Sequence, residues 1–301
     1  MLDAKHKSSY IMVMSKLAIE KRVQILSMLV EGSSMRSISR VCDVSINTVA
    51  KILADAGKVC MAFHDENVVG VKAKRVQVDE IWSFCAAKQK NVPSMKKPVD
   101  GAGDVWTWTA IDADSKLIVQ WYVGDRDGNT AKFFIDGLAS RLATRIQLTS
   151  DGLKAYLEAV EGAFGADVDY AQLVKLYGAS PESAKGRYSP AECTGIIKTP
   201  VEGKPDPKHI STSFVERQNL TMRMSMRRFT RLTNAFSKKL ESHICAISLY
   251  FVFYNWMRIH KTLRVTPAMA AGLTDKLMSM EDLCVMMDAV APKTGRPRKN
   301  T

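Results

Sequence analysis

A carboxylate lies inside an apolar run of this chain. The run KRVQVDEIWSFC, residues 74–85, is rich in β-branched and aromatic side chains, which predicts a buried strand. Burying the charge of Asp79 in such a strand is costly unless a partner compensates, and a bound metal cation is one such partner. Asp79 could also cap the strand or pair with Lys74 or Arg75. The neighbouring Glu80 should point to the opposite face, and we expect a structural role for it.

Two further acids have the type and the setting that a metal site needs. Asp151 lies at the carboxyl end of a short predicted strand, residues 146–149, where ligands gather in open α/β sheets. Glu216 lies at the start of residues 213–232, which are predicted to form one long helix. Each has a structural alternative. Ser-Asp-Gly before a helix is an ordinary N-cap, and Ser213 with Glu216 could form a capping box.

The predicted helix that contains Glu216 also has a basic face. Four arginines follow on or beside the same face: Arg223, Arg227, Arg228 and Arg231. A carboxylate at the head of an arginine-lined face is typical of a metal ligand next to a phosphate backbone, whereas a solvated surface more often mixes charges of both signs. We therefore predict that these four arginines contact DNA.

The overall charge favours a polyanionic partner. The 301 residues include 43 Lys and Arg against 31 Asp and Glu, which gives a net charge of +12 and a pI near 9.4. Such an excess predicts nucleic acid more readily than an acidic small molecule. The apolar content of 46% is ordinary for a globular protein and is sufficient for a sizeable core.

The cysteines and the apolar runs indicate in which cellular compartment the protein functions. The six cysteines are scattered without a CxxC pair or a close Cys/His cluster, which favours free thiols in a reducing environment over a cysteine-based zinc site. The start of the sequence has no signal-peptide pattern. The apolar run 244–254 is too short to span a bilayer and predicts a buried helix. We expect a cytoplasmic, nucleoid-associated protein.

The first sixty residues predict a small all-α domain. Three helical patterns follow one another, at residues 14–31, 33–42 and 46–57. A three-residue connection before the third helix is typical of a helix-turn-helix. The polar positions of the third helix would then face the major groove of DNA: Ser45, Asn47, Thr48 and Lys51. A helical subdomain that docks on the rest of the chain or dimerises would produce the same pattern.

The remainder of the chain alternates strand and helix patterns. After the first strand, residues 105–113 and 116–124 predict a hairpin, so that three strands form an antiparallel meander. A helix, a short strand, a helix and another strand follow in order between residues 129 and 178. Residues 178–212 contain five prolines and predict an irregular connection. The order of these elements matches a ribonuclease H-like fold.

The sequence resembles the DDE transposases of bacterial insertion sequences, most closely those of the insertion-sequence-one family. The resemblance rests on four blocks within residues 76–273: VQVDEIWSF, LTSDGLKAY, SFVERQNLTMRMSMRRFTRLTNAFSKK and YNWMRIHKTLRVTPAMAAGL. The third and fourth blocks are the more specific. One departure concerns the cysteine-rich zinc-binding segment that relatives often carry ahead of the helix-turn-helix, because this chain lacks the cysteine spacing for it.

The resemblance implies a function and a set of ligands. Asp79, Asp151 and Glu216 would be the catalytic residues and would hold two Mg²⁺ ions, with Mn²⁺ a possible substitute. Two such ions can clamp the attacking and leaving oxygens of a phosphoryl displacement. The partners would be double-stranded DNA, as transposon ends and target, and further copies of the chain, at least a dimer in the synaptic complex. A DNA-binding regulator or domesticated transposase that has lost catalysis is the alternative.

The predicted fold class is therefore α/β (α+β), a ribonuclease H-like catalytic domain preceded by a small helix-turn-helix domain. The predicted division is a DNA-binding domain at 1–60, a basic linker at 61–75, the catalytic domain at 76–273 and a C-terminal helix with a basic tail at 274–301. Within the tail, Arg296 and Arg298 belong to a Gly-Arg-Pro-Arg segment that resembles the core of an AT-hook and could enter a minor groove. A solvated basic tail is the alternative.

Overall fold

A six-stranded mixed sheet organises the protein. The computed structural model describes residues 17–178, 193–230 and 234–290. The strands are β1 (Arg75–Cys85), β2 (Gly103–Asp112), β3 (Ile118–Gly124), β4 (Ile146–Ser150), β5 (Val168–Tyr177) and β6 (Cys193–Glu202). Their order across the sheet is β3-β2-β1-β4-β5-β6. The first three strands are antiparallel, β4 and β5 run parallel to β1, and β6 returns antiparallel to β5. The protein is therefore a mixed α/β structure.

Helices cover the sheet and precede it. They are α1 (Ile19–Val30), α2 (Met35–Val41), α3 (Ile46–Asn67), α4 (Gly128–Arg141), α5 (Ala155–Phe164), α6 (Ser213–Ser225), α7 (Leu240–Val252), α8 (Pro267–Ala270) and α9 (Met280–Val290). Short 3₁₀ turns span Gln89–Ser94 and Arg227–Phe229, and a π-helical turn at Phe253–Met257 continues α7. No helix in the described ranges combines the length and the apolar character that crossing a membrane requires.

The two faces of the sheet are covered by different helices. Val76 and Val78 of β1 belong to a core that includes Phe134 of α4 and Tyr156 of α5. Ile81 belongs to the opposite core, with side chains of α6 and α7. Because side chains alternate along a strand, consecutive residues of β1 point to different helical layers. Burial on both faces explains why β1 is predicted as a continuous apolar run.

Most of the predicted elements of the sheet are confirmed. The meander, the helix after it, the strand that ends before Asp151 and the following helix all occur within a few residues of their predicted bounds. Asp112 fixes the turn of the hairpin, since its carboxylate accepts hydrogen bonds from the backbone N–H groups of Asp114 and Ser115 at 3.2 and 3.1 Å. The predicted apolar helix at 244–254 is confirmed as part of α7, which is largely buried.

The third helix is longer than predicted. It extends to Asn67, so its last turns lie beyond the predicted end at residue 57 and include the first seven residues of the predicted linker 61–75. Gly57 lies inside α3 because α7 approaches closely there, and the Ser248 hydroxyl donates to the Gly57 carbonyl at 2.8 Å. The first three helices share a buried apolar core with α7 and α9. Ser34 and Ser45 cap α2 and α3, while the helix-turn-helix assignment stays a prediction.

The predicted irregular connection contains a strand. Within 178–212 the structure describes β6, which pairs with β5 along most of its length. Almost every residue of β6 is exposed, so it lacks the apolar alternation by which a strand is recognised in a sequence. Pro200 fits an edge strand, where a missing N–H leaves no partner unsatisfied within the sheet.

The helix that contains Glu216 is shorter than predicted. It ends at Ser225, and a 3₁₀ turn at Arg227–Phe229 follows. The physical reason is burial, because Met226 and Phe229 turn into the core beneath α7 and are at most 5% exposed. The N-cap is Thr212 rather than the predicted Ser213, and the Thr212 side chain accepts no hydrogen bond from a backbone N–H of the helix. The capping box considered for Glu216 is therefore not formed.

A polar network joins the end of β1 to the residues before α7. Arg228 donates to the Ser237 hydroxyl at 2.9 Å and to the Ser242 carbonyl at 3.2 Å. The ring of His243 contacts Ser237 through Nδ1 at 2.9 Å and Ser83 through Nε2 at 3.2 Å. Burial and the charge of Arg228 lower the pKa of His243 to about 3, so the imidazole is neutral at pH 7.

Replacing Gly57 by alanine should destabilise the protein by about 1–3 kcal/mol, the usual cost of overpacking. A Cβ at this position would lie 2.3 Å from the Cβ of Cys245. The matched control is Gly162→Ala in α5, where a Cβ would meet nothing within 4 Å. There the same change should stabilise by about 0.5–1 kcal/mol through helix propensity. Urea unfolding of both variants measures the change in the free energy of unfolding, which should be negative for Gly57→Ala and positive for Gly162→Ala. A Gly57→Ala variant more stable than wild type would contradict the close contact between α3 and α7.

The free energy of unfolding should fall as the pH drops below the ordinary histidine pKa of 6.5. The unfolded chain binds a proton there, while buried His243 remains neutral down to about pH 3. At pH 5 the free energy of unfolding should be lower by about 2 kcal/mol because of His243. Carboxylates titrate in the same range, so the contribution is measured by urea unfolding as the difference between wild type and His243→Gln at pH 7.5 and pH 5. Identical pH dependence in both proteins would show that His243 is not held neutral.

Candidate metal site

The parallel pairing of β1 and β4 brings two of the predicted acids together. Gln77 of β1 pairs with Thr149 of β4, and β4 ends at Ser150. Two residues further along each strand, Asp79 and Asp151 lie level with one another where β1 continues past the end of β4. Both side chains are half-buried. The pairing register therefore produces an acidic pair from residues that are 72 positions apart in the sequence.

Glu80 is the third member of the cluster. Oxygens of Asp79, Glu80 and Asp151 all lie within 4.8 Å of one another. The Glu80 side chain is buried and is held by two donors: Arg126 Nε at 2.7 Å from Oε1, and the Tyr156 hydroxyl at 3.1 Å from Oε2. We name Asp79, Glu80 and Asp151 the acidic cluster. No other group of three acidic, histidine or cysteine side chains with this proximity occurs in the described parts of the chain.

The acidic cluster is electrostatically strained. Burial, followed by the charges of Glu80 and Asp151, raises the pKa of Asp79 to about 7. Burial and the charge of Asp151 also raise the pKa of Glu80, although the hydrogen bonds from Arg126 and Tyr156 oppose that shift. Nearby like charges and low polarity both disfavour the ionised form of a carboxyl group. A cation placed among these oxygens would remove the repulsion.

Helix α6 is fixed to the same strand beside the cluster. The buried side-chain oxygen of Gln77 accepts hydrogen bonds from the backbone N–H groups of Phe214 and Val215, at 2.8 and 3.2 Å. One helical turn later, Asn219 Nδ2 donates to Oδ2 of Asp79 at 2.8 Å. These contacts anchor the start of α6 on β1 and orient the Asp79 carboxylate.

Glu216 lies on α6 but outside the acidic cluster. Its carboxylate accepts hydrogen bonds from Lys175 Nζ of β5 and from the Thr212 hydroxyl, each at 2.6 Å. Glu216 nevertheless contributes to the raised pKa of Asp79, so its charge acts on the cluster. The structure thus brings Asp79 and Asp151 together, adds Glu80, and pairs Glu216 with a lysine.

The residues present fit a hard divalent cation. The donors are carboxylate oxygens, which Mg²⁺ and Mn²⁺ favour over softer metals. Two buried oxygens beside Asp79 have no hydrogen-bond partner among the described residues: Oδ1 of Asn219 and Oγ1 of Thr109, which lies directly opposite Asp79 on β2. Both oxygens could accept a hydrogen bond from water bound to a cation at the acidic cluster.

The predicted DNA-contacting residues lie in several environments. Ser45, Asn47 and Lys51 are exposed, and Thr48 is partly exposed; the hydroxyls of Ser45 and Thr48 contact each other at 2.9 Å. Arg223 is partly buried on α6, and Arg227 is exposed on the 3₁₀ turn. The predicted common helical face of these arginines is wrong for Arg227 and Arg228, because α6 ends before them. Arg228 is engaged in the network with Ser237. Three predicted residues lie outside the described ranges: Arg231, Arg296 and Arg298.

Sequence reasoning missed several side chains that shape the site. Strand alternation places Glu80 opposite Asp79 and predicts a structural role for it. Its partners Arg126 and Tyr156 are on the other face of β1 from Asn219. Its carboxylate still reaches the cluster, since β4 has ended and no backbone separates the two faces there. Asn219 had a usable signal, because it follows Glu216 by three residues on one helix. Lys175 and Arg126 carried no signal in the sequence.

Divalent cations should stabilise the protein against heat. Ten millimolar Mg²⁺ or Mn²⁺ should raise the midpoint of thermal unfolding, because binding relieves the repulsion in the acidic cluster. A cation concentration of about 100 times Kd would increase the free energy of unfolding by about 2.7 kcal/mol. The Asp79→Asn variant should lose this shift. Asp136→Asn, at an exposed acid on α4, is the matched control and should retain it. An equal shift in Asp79→Asn and wild type would exclude Asp79 as a ligand.

Comparison with known proteins does not establish a family. Neither a protein-family model nor a curated protein matches the sequence. Among solved structures, one similar chain is that of the piggyBac transposase in its synaptic complex with hairpin DNA, determined by electron cryo-microscopy. The TM-score is 0.37 with 8% sequence identity, over 93% of this chain and 76% of that chain. A TM-score this low supports no conclusion about fold or activity.

Proposed function

We propose that the protein is a DDE transposase of an insertion sequence. It would bind the terminal inverted repeats of its element and catalyse metal-dependent cleavage and transfer of DNA strands, with a ribonuclease H-like catalytic domain. Support for that fold comes from the sheet, in which the antiparallel meander β1-β2-β3 is followed by β4 and β5 parallel to β1. This element order is the one that the sequence predicts for a ribonuclease H-like fold, and the four sequence blocks that resemble insertion-sequence-one transposases lie within it.

One observation carries the proposal: acids distant in the sequence converge at the edge of two parallel strands. Asp79 and Asp151 approach within 4.8 Å, and Glu216 is on a helix that Gln77 fixes to the strand of Asp79. The net charge of the chain is +12, yet three acids lie together at this point. Holding their charges close together away from water is costly unless another charge compensates them. Cations that bridge the acids to a phosphate backbone would provide that compensation.

Asp79 and Asp151 would hold the cations, and Glu216 would join them on exchanging Lys175 for a cation. When bound, Mg²⁺ would stabilise charge on the attacking and leaving oxygens of a phosphodiester. Water would attack the phosphodiester at the element's end and displace its 3′ oxygen, which leaves a 3′ hydroxyl on the element and a 5′ phosphate on the flanking strand. That 3′ hydroxyl would then attack a target phosphodiester and displace a 3′ oxygen of the target strand. Lys175, released from Glu216, would be available to pair with a phosphate.

The residues around the acids would keep them in place. Asn219 holds one oxygen of Asp79, and Arg126 with Tyr156 holds both oxygens of Glu80. The Arg126 guanidinium also lies 4.0 Å from Asp151. These contacts orient the carboxylates before a cation or DNA arrives, which reduces the reorganisation that the reaction requires. Glu80 is therefore assigned to orientation of the cluster rather than to the triad.

DNA recognition would involve the exposed side of α3, at Asn47 and Lys51, together with Arg223 and Arg227 near the acids. The proposal includes at least two copies of the chain on paired transposon ends, because both ends must be joined to one target. Arg296 and Arg298 of the tail would contribute contacts in a minor groove.

Each of Asp79→Asn, Asp151→Asn and Glu216→Gln should reduce nicking and strand transfer to background while leaving end binding unchanged. Each substitution removes one carboxylate charge from the proposed cation ligands and preserves side-chain size. The substrate is supercoiled DNA carrying the inverted repeats that flank the gene, assayed with Mg²⁺, and end binding is measured by gel shift without metal.

The control Asp136→Asn should cut and join as the wild type does, since this acid is exposed on α4. A triad variant with wild-type strand transfer would remove that residue from the site. If the wild-type protein bound ends but never cut, the catalytically inactive DNA-binding regulator would replace the transposase. Cutting without joining of a labelled end would indicate a nuclease instead.

A further inference from the structure

Three aromatic rings lie together at the far end of β1. Trp82 and Phe84 have ring centroids 5.7 Å apart, and Phe84 stacks on Phe236 at 4.8 Å with an interplanar angle of 29°. All three side chains are partly exposed. We name Trp82, Phe84 and Phe236 the aromatic platform.

The core does not account for the aromatic platform. None of its three rings belongs to the buried apolar clusters of the described residues. By contrast, Trp108 and Phe229 are at most 2% exposed and pack within those clusters. Large rings grouped at a surface without a burial role commonly mark a binding site.

The backbone holds the platform in place. An isolated parallel bridge joins Cys85 to Ser237, and the Ala86 N–H donates to the Ser237 carbonyl at 2.8 Å. This pairing sets Phe236 beside Phe84. Ser237 is itself held by Arg228 and His243. The rings are therefore fixed relative to the sheet, which is a property of a preformed binding surface.

Lysines surround the platform. Lys88 Nζ lies 5.7 Å from the ring centroid of Trp82 and 6.0 Å from that of Phe84, and Lys238 Nζ lies 3.5 Å from that of Phe236. Four further exposed lysines occur within residues 88–97 and 236–239: Lys90, Lys96, Lys97 and Lys239. Since Lys88 and Lys238 are exposed, each can exchange its ring contact for a phosphate at little cost.

The platform lies beside the acidic cluster. Trp82 and Phe84 follow Glu80 on the same face of β1, because alternate residues of a strand share a face. Trp82 is three residues from Asp79, so their Cα atoms are about 10 Å apart at the usual strand rise. A strand of nucleic acid with a phosphate at the cluster would carry its next few bases over the rings.

We propose that the aromatic platform binds unpaired nucleobases of the DNA strand next to the phosphate under attack. Bases in a duplex have both faces covered by their neighbours, so only unpaired bases offer a face for stacking on these rings. Lys88 and Lys238 pair with the phosphates of the same strand. The identification of DNA as the ligand rests on the proposed function, whereas stacking itself needs neither metal nor catalysis.

The test is binding of a short fluorescein-labelled oligodeoxythymidylate to the full-length protein in EDTA, measured by fluorescence anisotropy. Trp82→Ala and Phe236→Ala should each weaken this binding by about tenfold or more, the usual effect of losing one stacked base contact. Affinity for a duplex of equal length should stay within about twofold, since duplex binding depends on charge. Trp82→Phe retains a ring and should bind as the wild type does.

The matched control is Phe133→Ala, which removes an exposed ring that stacks on Tyr122 away from the platform. It should leave oligonucleotide binding unchanged. Thermal unfolding confirms that each variant is folded, and Phe236→Ala changes a residue outside every helix and strand. Oligodeoxythymidylate affinity within about twofold of wild type in both folded alanine variants would overturn the proposal. Equal losses for oligonucleotide and duplex, or no binding by the wild type, would also overturn it.

This outcome is separable from the proposed function. A wild-type protein that binds oligodeoxythymidylate through the rings but neither cuts nor joins DNA would retain the platform and lose the transposase assignment. Normal cutting and joining, with platform variants that bind the oligonucleotide as wild type does, would give the opposite result.

Discussion

The crowding of three carboxylates, one buried and two half-buried, is the constraint on which the site depends. Asp79, Glu80 and Asp151 meet where β1 runs past the end of β4. Burial, followed by the charges of Glu80 and Asp151, raises the pKa of Asp79 to about 7. The fold tolerates this cost because Arg126 and Tyr156 hold Glu80, while Asn219 holds Asp79. The donors are sufficient to position the acids but do not neutralise them. In the proposed function, a divalent cation would compensate the remaining negative charge.

The second constraint is the attachment of α6 to the sheet. Gln77 binds the first N–H groups of the helix, which otherwise have no intrahelical partner. This contact determines where Glu216 lies, and Lys175 on β5 determines which way its carboxylate points. The position of Glu216 therefore depends on β1 through Gln77, and the direction of its carboxylate depends on β5 through Lys175. Without a cation, the Glu216 carboxylate forms a charge-assisted hydrogen bond with Lys175 at 2.6 Å.

The N-terminal helices are built into the same body as the sheet. Gly57 lets α3 approach α7 closely, and Arg22 of α1 pairs with Asp288 of α9 at 2.5 and 2.9 Å. Their shared apolar core fixes the exposed side of α3 relative to the acids. A polyanion bound along α3 would therefore meet the sheet in one orientation. Packing therefore fixes the orientation of α3 relative to the sheet, which a flexible linker at 61–75 would have left variable.

The sequence by itself determined the strands of the meander, β4, β5 and the buried α7, because each is an apolar run with a clear period or length. It also identified Asp79 and Asp151, since a charge in or after such a run is conspicuous. It did not reveal β6, whose residues are exposed and need no apolar pattern, or the early end of α6, which burial of Phe229 imposes. Only the tertiary structure decided that Glu80 joins the cluster and that Lys175 binds Glu216. Those outcomes depend on strand register and on where β4 stops, and neither is encoded locally.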